Sequence, residues 1–79
     1  MTRPGPGTPV TVVGLARSGQ AAARWLLELG CAVRVTESAD SPQLNAAAQV
    51  LRKDKASVEL GGHSKEFVWG SELMVTSPG

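Results

Sequence analysis

Val10-Thr11-Val12-Val13-Gly14-Leu15-Ala16-Arg17-Ser18-Gly19-Gln20-Ala21-Ala22-Ala23 is the stretch that decides the fold. A β-branched apolar run breaks into a glycine-punctuated turn, and alanine-rich sequence with helical periodicity follows at once. Read in order, that is a strand, a loop and a helix start. The junction aims several backbone N–H groups and the positive end of a helix dipole at one point, which suits an anion.

The chain on either side of this junction extends the same alternation. Val10 to Val13 lack a clean polar/apolar alternation, as expected of a strand covered on both faces. Ala22, Trp25, Leu26 and Leu29 recur at i, i+3, i+4 and i+7, the stripe of an amphipathic helix with Trp25 in the core, and Gly30 ends it. Ala32 to Thr36 form a second strand, closing on Glu37-Ser38-Ala39-Asp40. Ser41-Pro42 starts a second helix, whose inward positions are Leu44, Ala47, Ala48 and Leu51. Ser57-Val58-Glu59-Leu60 alternates as a half-exposed edge strand does, and Gly61-Gly62 breaks it. A short helix is expected over Lys65 to Trp69, capped by Ser64 with Glu66 in its first turn, then a fourth strand over Glu72 to Thr76 before Ser77-Pro78-Gly79.

Composition bounds what such a chain can do. Its 79 residues make one domain at most, and a domain that small hides only about 60% of the surface of its unfolded chain. A hydrophobic fraction of 42% with 19% charged residues fits a globular fold. No apolar run approaches the roughly 20 residues that span a bilayer, so a membrane role is not expected. Eight Lys and Arg against seven Asp and Glu leave a net charge of +1, too little to draw nucleic acid from a distance. Anion binding here is therefore local. The single cysteine, Cys31, has no internal partner and reads as a small buried hydrophobe, and Met1 to Gly7 lack the apolar centre of a signal peptide. A cytoplasmic setting is expected, with residues 1–8 as a flexible Pro/Gly-rich lead-in and the domain running from 9 to 79.

Strands alternating with helices through short loops imply an α/β, Rossmann-like three-layer domain around a four-stranded parallel sheet of order 3-2-1-4. Ligands of such sheets sit beyond the carboxyl ends of the strands, where the order reverses. That rim would carry Gly14 to Gly19, Glu37 and Ser77-Pro78-Gly79.

The loop Gly14-Leu15-Ala16-Arg17-Ser18-Gly19 departs from the dinucleotide pattern G-x-G-x-x-G by placing alanine at the second glycine. A Cβ there pushes a pyrophosphate outward or along the loop. The strand before it, the helix after it and Glu37 at the end of the second strand strengthen the match. Several readings stand open. Gly14 and Gly19 either cradle a phosphate or only make a tight turn. Arg17 is either a phosphate clamp or a solvated loop charge. Ser18 caps the helix, donates to a phosphate, or does both. Glu37 either accepts hydrogen bonds from a ribose or base, or is an ordinary strand-end carboxylate. His63 has no legible catalytic partner and reads as a turn histidine, and Trp69, like Trp25, reads as core rather than as a stacking platform.

Three runs together resemble a known family: Val12 to Gly19 with Ala21-Ala22-Ala23, then Val33-Arg34-Val35-Thr36-Glu37-Ser38, then Leu73-Met74-Val75-Thr76-Ser77-Pro78-Gly79. They are similar to the amino-terminal domain of the Mur ligases of peptidoglycan synthesis, most nearly the D-glutamate-adding members, over nearly all of the chain after Pro9. The resemblance implies a domain that holds the uridine diphosphate of UDP-N-acetylmuramoyl-L-alanine. Gly14, Leu15, Ala16, Arg17, Ser18 and Gly19 would then line the diphosphate loop, Glu37 and Ser38 would meet the uridine, and Ser77 and Gly79 would border the same pocket. Where the family often carries an arginine soon after the acid of the second strand, this chain has Ala39. The resemblance also implies central and carboxyl-terminal ligase domains, with ATP and magnesium for acyl phosphate formation. The Gly-Lys-Ser/Thr loop that this step needs is not in these 79 residues, so the chain is expected to bind substrate without catalysing by itself. Two other readings remain: an NAD-binding half-domain of a dehydrogenase or regulatory sensor, and a module whose glycine loop is purely structural.

Overall fold

The β-branched run Pro9–Val13 forms strand β1 at the centre of the sheet, and in the computed structural model, which describes residues 5–64 and 73–76, everything else is built against it. Helix α1 spans Arg17–Glu28, β2 Ala32–Glu37, α2 Pro42–Lys53, β3 Ser57–Leu60 and β4 Leu73–Thr76. The four strands are parallel in the order β3-β2-β1-β4, as the alternation of elements requires. The sheet reverses its winding between β1 and β4, and the β1–α1 loop lies at that switch.

Register explains the two faces of the sheet. Val12 pairs with Val35 and Val35 with Val58, while Val10 pairs with Val33. These valines share one face and form the core with Leu15, Ala23 and Leu26 from the loop and α1 and Ala48 and Leu51 from α2. Successive side chains of a strand alternate faces, so Thr11, Arg34, Thr36, Ser57 and Glu59 lie on the opposite, polar face. Helices α1 and α2 touch one another, because two right-handed crossovers running in one direction along a sheet cover the same side. Burying Leu26 or Leu51 completely stabilises the fold by about 1.5–3 kcal/mol each.

Helix α2 is built as its sequence implies. Ser41 Oγ accepts the N–H of Leu44 at 3.2 Å, Pro42 opens the first turn, and Ala48 and Leu51 point inward. In α1 the stripe differs from expectation. Gly19, Ala23 and Leu26 face the sheet, whereas Trp25 is 47% exposed. The buried face of α1 combines the small Gly19 and Ala23 with Leu26, and the indole of Trp25 lies outside it.

Both helices end in the same hydrogen-bond pattern with different residues at its key position. After α1, Gly30 N–H donates to Leu27 O at 3.0 Å and Cys31 N–H to Leu26 O at 3.1 Å. After α2, Lys55 N–H donates to Arg52 O and Ala56 N–H to Leu51 O, both at 3.0 Å. This is the Schellman closure, whose left-handed residue is Gly30 in one case (φ 84°) and Lys55 in the other (φ 72°). Cys31 is buried at the first closure as a free thiol. Upstream, Gly5–Thr8 make a turn, with Gly7 N–H donating to Gly30 O at 2.9 Å and Thr8 O accepting from Ala32 N–H at 2.9 Å. The expected helix over Lys65 to Trp69 lies outside the described residues, as do Ser77, Pro78 and Gly79.

Candidate functional site

The β1–α1 loop leaves the sheet through Gly14, whose φ of 100° is a conformation that suits glycine. Its N–H still continues the sheet by donating to Thr36 O at 2.8 Å. Leu15 turns its side chain fully into the core, so it contributes backbone alone to the loop surface. That backbone is held at both ends: Leu15 N–H donates to Glu37 Oε1 at 2.8 Å, and Leu15 O accepts from Gln20 Nε2 at 3.1 Å.

Beyond this tether the chain enters α1. Ala16 is the N-cap residue, in extended conformation (φ −71°, ψ 177°), and no side chain caps the helix there. The first turn contains no acidic residue. Ala16, Arg17 and Ser18 are exposed while Gly19 is buried against the sheet. The N-cap residue therefore brings no side-chain oxygen and the first turn no acid of its own to offset the positive end of the helix dipole.

Glu37 occupies the neighbouring strand end in a specific way. Its Oε1 takes the Leu15 amide, and its Oε2 takes the Ala39 amide at 2.8 Å and the Ser38 hydroxyl at 3.4 Å. The Ala39 and Leu15 amides, with smaller help from Ser38 and nearby His63, hold this carboxyl below the ordinary range against an opposing effect of burial. Glu37 thus ties the β2–α2 loop to the glycine loop.

A second polar cluster lies beside it, on the other face of β2 and β3. Thr36 Oγ1 is completely buried with its residue and meets Glu59 Oε2 at 3.1 Å, Gly62 O at 3.0 Å and His63 Nδ1 at 2.6 Å. Ser64 N–H donates to the same Glu59 oxygen at 2.9 Å. The Ser64 amide is the main reason that the Glu59 carboxyl also titrates low. Gly61 and Gly62 amides donate to Ala39 O and Glu37 O, both at 3.2 Å, which latches the chain after β3 onto the end of β2.

The structure therefore brings Gly14 through Gly19, Glu37 and Ser38 to one rim, together with His63; Ser77 and Gly79 lie outside the described residues. Sequence reasoning missed Thr36, Glu59 and Gln20 as supports. A signal for the first pair was present, since Thr36 and Glu59 are polar residues at the same alternation phase of adjacent strands, and they are paired in register. A groove of about 490 Å³ lined by Arg24, Leu27, Glu28, Lys53, Asp54 and Lys55 lies at the opposite end of the sheet, between the helix C-termini. Its charges are of both signs, and it carries none of the rim chemistry. No helix among the described residues is long and apolar enough to cross a membrane.

Residues 8–79 match the family described as Mur ligase MurD-like, N-terminal domain. Curated relatives named UDP-N-acetylmuramoylalanine--D-glutamate ligase include those of Frankia casuarinae, 51% identical over 73 residues, and Anaeromyxobacter dehalogenans, 47% identical over 75. In each pairing 92% of this chain is covered but only 15% and 16% of the relative, so the chain spans about one seventh of those proteins' length. Among solved structures, SirC, a precorrin-2 dehydrogenase, superposes with a TM-score of 0.74 over the whole chain and 38% of its own, at 19% identity. That likeness is one of fold.

Proposed function

The chain belongs to the family of Mur ligase MurD-like N-terminal domains, and from that premise we propose that it binds the uridine diphosphate part of UDP-N-acetylmuramoyl-L-alanine for a D-glutamate-adding ligase of peptidoglycan synthesis. The observation that carries this reading is the β1–α1 loop, tethered from behind by Glu37 through Leu15 N–H at 2.8 Å, while the N-cap residue of α1, Ala16, makes no side-chain cap and the first turn holds no acid. The diphosphate sits against that turn with Arg17 at hand as a planar donor, and the uridine lies toward Glu37 and Ser38. Ala16 sets the anion slightly outward of where a dinucleotide pyrophosphate would press on bare glycine.

The remaining chemistry, activation of a carboxyl by ATP with magnesium and attack by the amine of D-glutamate, belongs in this reading to central and carboxyl-terminal domains like those of the longer relatives. In this reading the domain works in the cytoplasm. The dinucleotide alternative is supported less well. It accounts for Glu37 at the end of β2, but it asks for glycine at the second loop position, where this chain has Ala16.

The test is a titration followed by amide resonances. UDP and UDP-N-acetylmuramoyl-L-alanine should shift Gly14 to Gly19 and Glu37 to Ala39, with the muramoyl ligand binding more tightly. Tighter binding of NADH than of UDP, or shifts confined to residues away from this rim, would overturn the reading.

A further inference from the structure

The direction of the backbone groups of β3 follows from three hydrogen bonds of its neighbour β2. Ala32 N–H donates to Thr8 O at 2.9 Å and Gly14 N–H donates to Thr36 O at 2.8 Å, so Ala32, Arg34 and Thr36 turn their backbone groups toward β1. Glu37 O accepts from Gly62 N–H at 3.2 Å, on the β3 side. In a parallel ladder alternate residues serve alternate neighbours, and a residue facing its neighbour bonds the residues on either side of its register partner. Val35 therefore reaches Ser57 and Glu59, since its partner is Val58. The N–H and C=O of Val58 point the other way, out of the sheet.

Strand β3 is an edge of the described sheet, and such an outward pair of groups is what an added strand uses. Here the carbonyl is already taken. Arg52 Nη2 donates to Val58 O at 2.8 Å. It does so from the last turn of α2, where a cation also meets the negative end of the helix dipole. Earlier along the same edge, Ala56 N–H donates to Leu51 O at 3.0 Å. A strand pairing at the usual spacing of about 4.8 Å would need the place of the guanidinium. Its neutral amide would replace a charge-assisted bond to the carbonyl.

The sequence of β3 decides which register of self-pairing matters. Two copies of Ser57-Val58-Glu59-Leu60 can meet antiparallel, edge to edge, with outward groups opposed. Centred on Glu59, the pair puts two carboxylates directly opposite each other, which is unfavourable. Centred on Val58, it sets Glu59 against Ser57 and lets the two Val58 residues exchange both N–H···O bonds. That register runs through the carbonyl that Arg52 holds.

We propose that Arg52 closes the β3 edge: by occupying Val58 O it prevents a second copy of this chain from pairing antiparallel with β3 through Val58. The contact is independent of the rim and of what the rim binds.

Measurements on the ligand-free 79-residue chain test it. In the unmodified chain the guanidinium protons of Arg52 should exchange with water more slowly than those of Arg24, another exposed helix arginine. Equal rates would overturn the proposal whatever the variants do. Sedimentation of Arg52→Ala at rising concentration should show dimers, with self-association at least about tenfold stronger than in the unmodified chain. The Val58 amide should gain protection from hydrogen exchange as those dimers form. Arg52→Lys, which keeps the cation without the planar fork, should fall between the two. Adding Val58→Pro to Arg52→Ala removes the outward N–H while sparing the ladder to β2, and should return the chain to monomer. Circular dichroism establishes that each variant is folded. A folded Arg52→Ala that stays as monomeric as the unmodified chain at about 1 mM would contradict the proposal. Association that leaves the Val58 amide unprotected, or that survives Val58→Pro, would do the same, since the contact would then lie elsewhere.

Discussion

The carboxylate of Glu37 accepts the backbone N–H of Leu15 at 2.8 Å, joining the end of β2 to the loop after β1 across 22 positions of sequence. The acid that sequence pattern reserves for a ligand is thus also a strut of the loop. Its second oxygen holds the Ala39 amide at 2.8 Å, so one side chain sets two loops that face the same rim. Binding energy spent by a ligand here is not needed to order the loop, which is the gain of preorganisation.

Removing that strut should loosen binding more than it unfolds the domain. Glu37→Gln keeps one oxygen acceptor and must leave either Leu15 or Ala39 unserved. Because the site is partly solvated, the loss of stability is expected at about 1 kcal/mol. Glu37→Ala should cost somewhat more, since Leu15 has its side chain in the core and its amide cannot swing out freely. Urea unfolding checks the stability, and UDP titration of the same proteins should show affinity falling by about tenfold or more.

Acid should undo the same contacts in a defined order. The Glu37 and Glu59 carboxyls both titrate below their ordinary value of 4.5, held down chiefly by the Ala39 and Leu15 amides in one case and the Ser64 amide in the other. Their unfolded counterparts bind protons first as pH falls. The stabilisation they give is therefore complete above about pH 5 and is lost as pH drops through 4.5 toward the folded values. Urea midpoints should be flat in pH near neutrality and decline on the acid side, and Glu37→Gln should flatten its share of that decline. A midpoint that falls equally in both proteins would remove Glu37 from the account.

The two helix ends give opposite expectations for the same kind of change. Lys55 sits at the left-handed position of its closure with φ 72°, and Gly30 holds the equivalent place at φ 84°. A side chain at that backbone conformation costs about 1 kcal/mol, so Lys55→Gly should raise stability by about 0.5–1 kcal/mol, and a lower midpoint would contradict this. Gly30→Ala should lower it by about 1–2 kcal/mol. There the added Cβ would also meet Pro6 Cα at 3.3 Å, tighter than ordinary packing and against backbone.

Periodicity made the order of the sheet and the face of α2 legible, because Leu44, Ala47, Ala48 and Leu51 have no competing stripe. In α1 it misled, since Trp25 carries the largest apolar side chain, yet the buried face is Gly19, Ala23 and Leu26 and the indole lies outside it. The rim was legible for Gly14 to Gly19 and Glu37, whose spacing along the chain encodes a strand, a turn and a second strand end. What sequence could not give is the partner of each polar atom. That Glu37 serves Leu15, or that Thr36 gathers Glu59, Gly62 and His63, depends on register between strands more than 20 residues apart in the chain.

Ala16 offers the sharpest separation of stability from binding. It stands at the N-cap of α1 in the extended conformation that a capping residue needs, yet brings no side-chain oxygen, and the first turn has no acid. Ala16→Asp supplies both a cap and a negative charge beside the helix dipole, and should stabilise the domain by about 0.5–1.5 kcal/mol. The same carboxylate takes first-turn donors that the diphosphate would use and repels its charge, so UDP binding should fall below detection. Ala16→Ser tests the two effects apart: it caps without charge, should stabilise by about 0.5–1 kcal/mol, and should weaken UDP only moderately. If Ala16→Asp gains stability and still binds UDP as the unmodified chain does, the anion does not sit on this helix, and the loop between Gly14 and Gly19 is a structural turn alone.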